Sequence, residues 1–153
     1  MMTTISELMT HDHRDCDHVF ARAEELASDG DWAGAAESLT EFSNALSAHF
    51  EAEETKLFPA FEAATGMTQG PTAMMRSEHQ GMREVLAALQ YALDKQDADD
   101  FAGEAETLLI MMQQHNMKEE SVIYPMLDTR LPAEEQQNLS TAVGKQLSGA
   151  RNA

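Results

Sequence analysis

The sequence predicts an all-α protein: an up-down antiparallel four-helix bundle with a short fifth helix at the C-terminus. Three observations carry this. Apolar residues recur at helical spacing over four long segments, strand-like alternation is absent, and the connections between segments are short. With 153 residues, 42% of them hydrophobic, the chain has the length of about one domain and enough apolar surface for one core. A single domain over residues 1–153 is expected, with the bundle at about 9–127 and the last helix at about 132–148.

The elements follow in order. The first helix covers roughly 10–28 and stops at SDGD, where Gly30 suits a C-terminal cap. The second covers roughly 32–64 and stops at TGMTQGP, with Gly66 in the same role. Pro71 suits the opening of the third, roughly 72–95, because a first-turn residue has no N–H bond to lose. KQDADD separates it from the fourth, roughly 100–127, and Pro132 before AEEQQNL opens the fifth, which carries no motif.

Charge narrows the function classes. Twenty-seven acidic against 10 basic residues give a formal charge of −17, which repels phosphate backbones and anionic lipid, so neither nucleic acid nor a membrane surface is expected as a partner. Cys16 is the only cysteine, and MMTTISELMTHDH lacks the basic flank and apolar run of a signal peptide. No apolar stretch reaches the roughly 20 residues that cross a bilayer. A cytoplasmic location is the expectation.

An internal repeat carries the chemistry. HFEAEETKLFP at 49 returns as HNMKEESVIYP at 115, matching His49, Glu53, Glu54 and Pro59 with His115, Glu119, Glu120 and Pro125 at an offset of 66. The same offset aligns Met9, Asp12, His13, Val19 and Phe20 with Met75, Glu78, His79, Val85 and Leu86. An old duplication of a helical hairpin accounts for matched apolar residues as packing. It does not account for matched histidines.

Those residues lie on the apolar stripes: Met9, His13, Cys16, Phe20; Leu46, His49, Glu53, Leu57; Met75, His79, Met82, Leu86; Leu108, Met112, His115, Glu119, Val122. Four imidazoles and two carboxylates thus point into one core, which unpaired would exceed a domain's net stability of about 5–15 kcal/mol. Cations resolve the conflict by supplying opposite charge and taking the lone pairs. Each HxxxE unit puts its His and Glu one turn apart on one face, so the Glu can reach a second ion or bridge two. Six N and O donors exceed a closed four-ligand zinc site. Two ions fit better than one, and the mixture of imidazole and carboxylate suits non-haem iron or manganese, iron foremost.

His13, His49-x-x-x-Glu53, His79 and His115-x-x-x-Glu119, with LFP and IYP after the two HxxxE units, resemble the hemerythrin-like HHE cation-binding domain over about residues 9–127. The resemblance implies a left-handed four-helix bundle holding two iron ions in a non-haem di-iron centre. Glu53 and Glu119 would bridge the irons, and His13, His49, His79 and His115 would be terminal ligands. The Glu-x-x-His spacing of ferritin-like sites is absent from the repeated positions. Oxygen-carrying hemerythrins have HxxxH on the third helix, where this chain has Arg83 four residues after His79, and HxxxxD on the fourth, where it has HxxxE. The implied centre is more open, and Arg83 would hydrogen-bond an anion at the metal edge, pair with Asp17, or face solvent.

The resemblance implies a small diatomic or anionic ligand: oxygen, nitric oxide, peroxide or azide. The function classes are binding, sensing, storage or detoxification, with di-iron oxidase-like, peroxidase-like or iron-sulfur repair-like activity among them. The repair proteins carry an extra N-terminal cysteine-containing segment not found here. The alternative is an iron- or redox-responsive interaction protein whose metal centre orders the bundle for a protein partner that the sequence does not identify. Other residues read more plainly. His11 and His18 have no repeat partners and are expected in solvent, as are Glu54, Glu120, Asp12 and Glu78, while Cys16 and the 11 methionines are core packing.

Overall fold

The computed structural model describes residues 3–151, and among them every regular element is helical. Helix α1 runs Ile5–Ser28, α2 Trp32–Ala52, α3 Phe58–Thr65, α4 Pro71–Asp94, α5 Ala98–Lys118, α6 Tyr124–Arg130 and α7 Ala133–Arg151. Two π-helical turns, Glu53–Leu57 and Glu119–Ile123, join α2 to α3 and α5 to α6 without a break. The four bundle members are therefore α1, α2 with α3, α4, and α5 with α6, and α7 is the fifth helix.

Local chemistry sets the ends. Side chains of Thr4, Asp31 and Asp97 accept from the amides of Glu7, Gly34 and Asp100, satisfying first-turn donors of α1, α2 and α5. Gly66 closes α3 at φ 74°, a left-handed conformation that glycine adopts without a Cβ penalty. The amides of Ile5 and Ser6 are held by the carboxylate of Asp128, which ties the start of α1 to α6. α1 begins five residues earlier than the periodicity suggested because this cap and Ile5, 1% exposed, extend its inward face.

In the bundle α1 packs on α2 and α5, and α4 on the same two, so that sequential helices are antiparallel neighbours. Helix α7 lies against α2 and α1, burying Val143 and Leu147. The core has two apolar layers. One contains Cys16, Phe20, Phe42, Leu46, Met82 and Met112; the other contains Met9, Leu57, Phe58, Phe61, Met75 and Ile123.

The π turns alter the register. Backbone N–H groups of Phe58 and Tyr124 bond to carbonyls five residues back, on Glu53 and Glu119. Pro59 and Pro125 follow at once, and a residue without an N–H favours a change of hydrogen-bond ladder there. The added residue rotates what comes after. Val122, expected on the inward stripe from 3.6-residue spacing, is 43% exposed, and Ile123 and Tyr124 face the core instead.

Candidate metal centre

Between the two apolar layers lies a polar one. His13 on α1, His49 on α2, His79 on α4, His115 on α5, and Glu53 and Glu119 at the first residues of the two π turns all point inward, none more than 6% exposed. They form two groups. Glu53, His79, His115 and Glu119 offer donor atoms within 4.8 Å of one another, as do His13, His49 and Glu119. Glu119 belongs to both: its Oε1 is 3.2 Å from His13 Nε2 and its Oε2 is 3.2 Å from His115 Nε2. His79 Nε2 is 3.0 Å from Glu53 Oε1. Bonds of about 2.1 Å from one cation place neighbouring ligand atoms about 3.0–3.4 Å apart, so these separations are those of a coordination shell.

Four of the donor atoms have no hydrogen bond within the protein. Glu53 Oε1, His79 Nε2, His115 Nε2 and Glu119 Oε2 are buried without a hydrogen bond, and these are the four residues of the first group. Each such atom costs about 1–3 kcal/mol if nothing satisfies it. Four together, on imidazole and carboxylate, fit a divalent or trivalent cation.

The opposite edge of each imidazole is fixed by a carboxylate. Nδ1 lies 2.7 Å from Glu120 in His13, 2.7 Å from Asp12 in His49, 2.7 Å from Glu54 in His79 and 2.9 Å from Glu78 in His115. An Nδ1–H donating to a carboxylate leaves the Nε2 lone pair for a metal and raises its basicity. The expectation that these four face solvent is thereby corrected for Asp12, which is buried, and for Glu54 and Glu78, which are half-buried; Glu120 is exposed as expected and still reaches His13. Residues about 100° from the inward stripe lie at the seams between helices, where they reach an imidazole of a neighbouring helix. The pairs obey the repeat: Asp12–His49 corresponds to Glu78–His115, and His13–Glu120 to His79–Glu54.

Charges beyond this ring differ between the halves. Arg83 makes a two-pronged contact with Glu54, at 2.9 and 3.1 Å, and sits over the Phe50 ring at 5.2 Å. It is neither at the metal edge nor paired with Asp17. Lys118 Nζ lies 2.5 Å from Glu78. The residues matched to Arg83 and Lys118 are Asp17 and Ala52, so the repeat does not duplicate these cations.

Tyr124 was not anticipated. Its hydroxyl is buried, 2.6 Å from Glu53 Oε2 and 2.8 Å from Glu119 Oε1, with His13 Nε2 at 3.2 Å and His49 Nε2 at 3.4 Å. At 3.6 residues per turn a side chain five positions after Glu119 points away from it; in a π turn the two are stacked. The available signal was the difference between IYP and LFP, since a buried tyrosine usually has a polar partner.

Burial dominates the proton affinities. It lowers His49, and it pushes His79 down to about 4 despite the Glu54 contact. Burial also opposes the charge on His13, but Glu119 and Glu120 outweigh it and the net shift is upward. Burial and the neighbouring Glu119 charge push Glu53 well above the usual carboxylate range; Glu119, although equally buried, is held well below it by the neighbouring Glu53, His115 and His13 groups. Burial raises Tyr124 well above a free phenol.

The remaining residues lie elsewhere. His11 and His18 are exposed, and Cys16 is in the apolar layer one turn beyond His13. A cavity of about 220 Å³ between α4 and α5, lined by Glu78, Met82, Met111, Gln114, His115 and Lys118, reaches the edge of the cluster at His115.

A helical bundle with imidazoles and carboxylates gathered between its apolar layers defines a cation-binding protein of the four-helix class. The model of the hemerythrin HHE cation binding domain matches residues 4–127, and the chain belongs to that family. No curated protein and no solved structure matches it significantly. No helix among the described residues is long and apolar enough to cross a membrane.

Proposed function

We propose that the protein is a non-haem di-iron protein that binds or reacts with oxygen or a related small ligand such as nitric oxide, peroxide or azide. The observation that carries this is the sharing of Glu119 between two converging donor groups, one of four residues and one of three. A shared carboxylate suits two ions, and imidazole with carboxylate suits iron. Iron held there would supply reversible electron transfer and coordination positions for a diatomic or small anion.

The chain's own residues would do the rest. His13, His49, His79 and His115 present Nε2, and Glu53 and Glu119 supply the remaining oxygens. Asp12, Glu54, Glu78 and Glu120 hold the four rings in one tautomer. Phe50, stacked on His79 with centroids 3.9 Å apart, and the two apolar layers limit water at the cluster. The cavity ending at His115 is large enough for a ligand of two or three atoms.

Elemental analysis and absorbance test the reading. Protein made in iron-replete cells should hold about two irons per chain, about 3.5–4 Å apart by X-ray absorption. A reversible visible band on admitting air indicates oxygen binding; an irreversible change indicates oxidation of the centre. No more than trace metal in chelator-free protein would reject it.

A further inference from the structure

We propose that Tyr124 is the fourth protein ligand of the His13–His49–Glu119 group, a phenolate ligand for which the other half of the bundle has no counterpart. This rests on the di-iron reading above.

The geometry is that of a missing vertex. The first donor group has four protein residues, the second three. The Tyr124 oxygen lies 3.2 Å from His13 Nε2, 3.4 Å from His49 Nε2 and 2.8 Å from Glu119 Oε1, one atom from each member of the three-residue group, and donates to Glu53 Oε2 of the other group at 2.6 Å. Ligand atoms around one cation stand about 3.0–3.4 Å apart when bonds are about 2.1 Å. In the metal-free chain the hydroxyl is held there by hydrogen bonds, at separations that a ligand atom of the same group would also have. The second π turn puts it there by stacking residue 124 over residue 119.

The repeat supplies an internal control. The residue matched to Tyr124 is Phe58, whose ring lies 5.5 Å from His79, much as the Tyr124 ring lies 5.8 Å from His13. The two rings have the same place relative to their histidines, so packing alone accounts for an aromatic residue at both. Only Tyr124 adds an oxygen, and it adds it where the group is one donor short. On coordination the O–H bond is replaced by an O–metal bond and one proton is released, as for any ligand that binds in its deprotonated form.

Ferric phenolates absorb visible light by charge transfer from oxygen to iron, and excitation in that band enhances ring vibrations of the phenolate. The test loads the full-length protein with ferrous iron without oxygen, oxidises it, and records iron content, absorbance and resonance Raman spectra. Tyr91, the other tyrosine, is 64% exposed, so Tyr91→Phe should leave the spectra unchanged. Tyr124→Phe should lose the band and the ring modes, and bind one of its two irons at least tenfold more weakly. If Tyr124→Phe does not fold, Tyr91→Phe protein grown on ring-deuterated tyrosine decides the matter, because shifted modes can then come only from Tyr124. Two irons per chain without phenolate modes would overturn the tyrosine assignment and leave the di-iron reading standing. Absence of bound iron would overturn both.

Discussion

The carboxylate of Asp12 holds Nδ1 of His49 at 2.7 Å across the α1–α2 seam, and 66 residues later Glu78 holds His115 across the α4–α5 seam at 2.9 Å. Both contacts leave Nε2 turned to the centre. Removing such a carboxylate typically costs metal affinity about 10–100-fold. Asp12→Ala, Glu54→Ala, Glu78→Ala and Glu120→Ala should each lower affinity for one of two ions by that factor, measured by competition with a calibrated chelator. Affinities equal to the parent's would show that the rings are oriented by packing alone.

Glu119 and Glu53 should not be equivalent. Glu119 belongs to both donor groups, whereas Glu53 gives Oε1 to one and accepts from Tyr124 through Oε2. Glu119→Ala is expected to lose both ions, with a marked fall in melting temperature, and Glu53→Ala to retain part of its metal. His18→Ala, on the exposed face of α1, should keep full metal content and change stability by no more than about 0.5 kcal/mol. Elemental analysis beside thermal unfolding checks all three.

Arg83 acts at one remove. Because its guanidinium is held by Glu54, Arg83→His should add no ligand, and the number of irons and their rate of autoxidation should stay close to the parent's. Arg83→Ala should weaken metal less than Glu54→Ala does, since the Glu54–His79 contact remains. A marked slowing of autoxidation in Arg83→His would place residue 83 nearer the metals than its contact with Glu54 allows.

Acid should empty the two groups in order. In the metal-free chain His13 binds its proton above the usual histidine value, and His79 only at about 4. Protons compete with a cation for Nε2, so as pH falls from neutrality His13 is lost as a donor before His79. We expect stepwise release, beginning with the ion at His13, His49 and Glu119, in metal content against pH. Histidine NMR of the metal-free protein should give the same order; His79 titrating before His13 would contradict it.

The helical class and the convergence of His13, His49, Glu53, His79, His115 and Glu119 were legible because both rest on period: a stripe at 3.6 residues and a repeat at 66. Two things were not. A residue such as Glu54, one position from the stripe, reads as solvated on an isolated helix. Its partner His79 is on another helix, and adjacency between helices is not written in either one's spacing. Tyr124 was hidden because the π turn departs from the period used to read the chain. The same departure moved Val122 outward.

The seam residues also bear on electrostatic neutrality. Two divalent cations at the centre would bring four positive charges, and Arg83 and Lys118, on Glu54 and Glu78, bring two more. Against these stand six formal negative charges, on Glu53, Glu119, Asp12, Glu54, Glu78 and Glu120. The cluster and its ring of partners, buried at the ligands and partly exposed at Arg83, Lys118 and Glu120, would then carry no net charge, which lowers the cost of holding ions between apolar layers. Each electron withdrawn would leave one positive charge uncompensated. An oxidised centre held there would therefore favour an added anion, whether from this chain or from solvent.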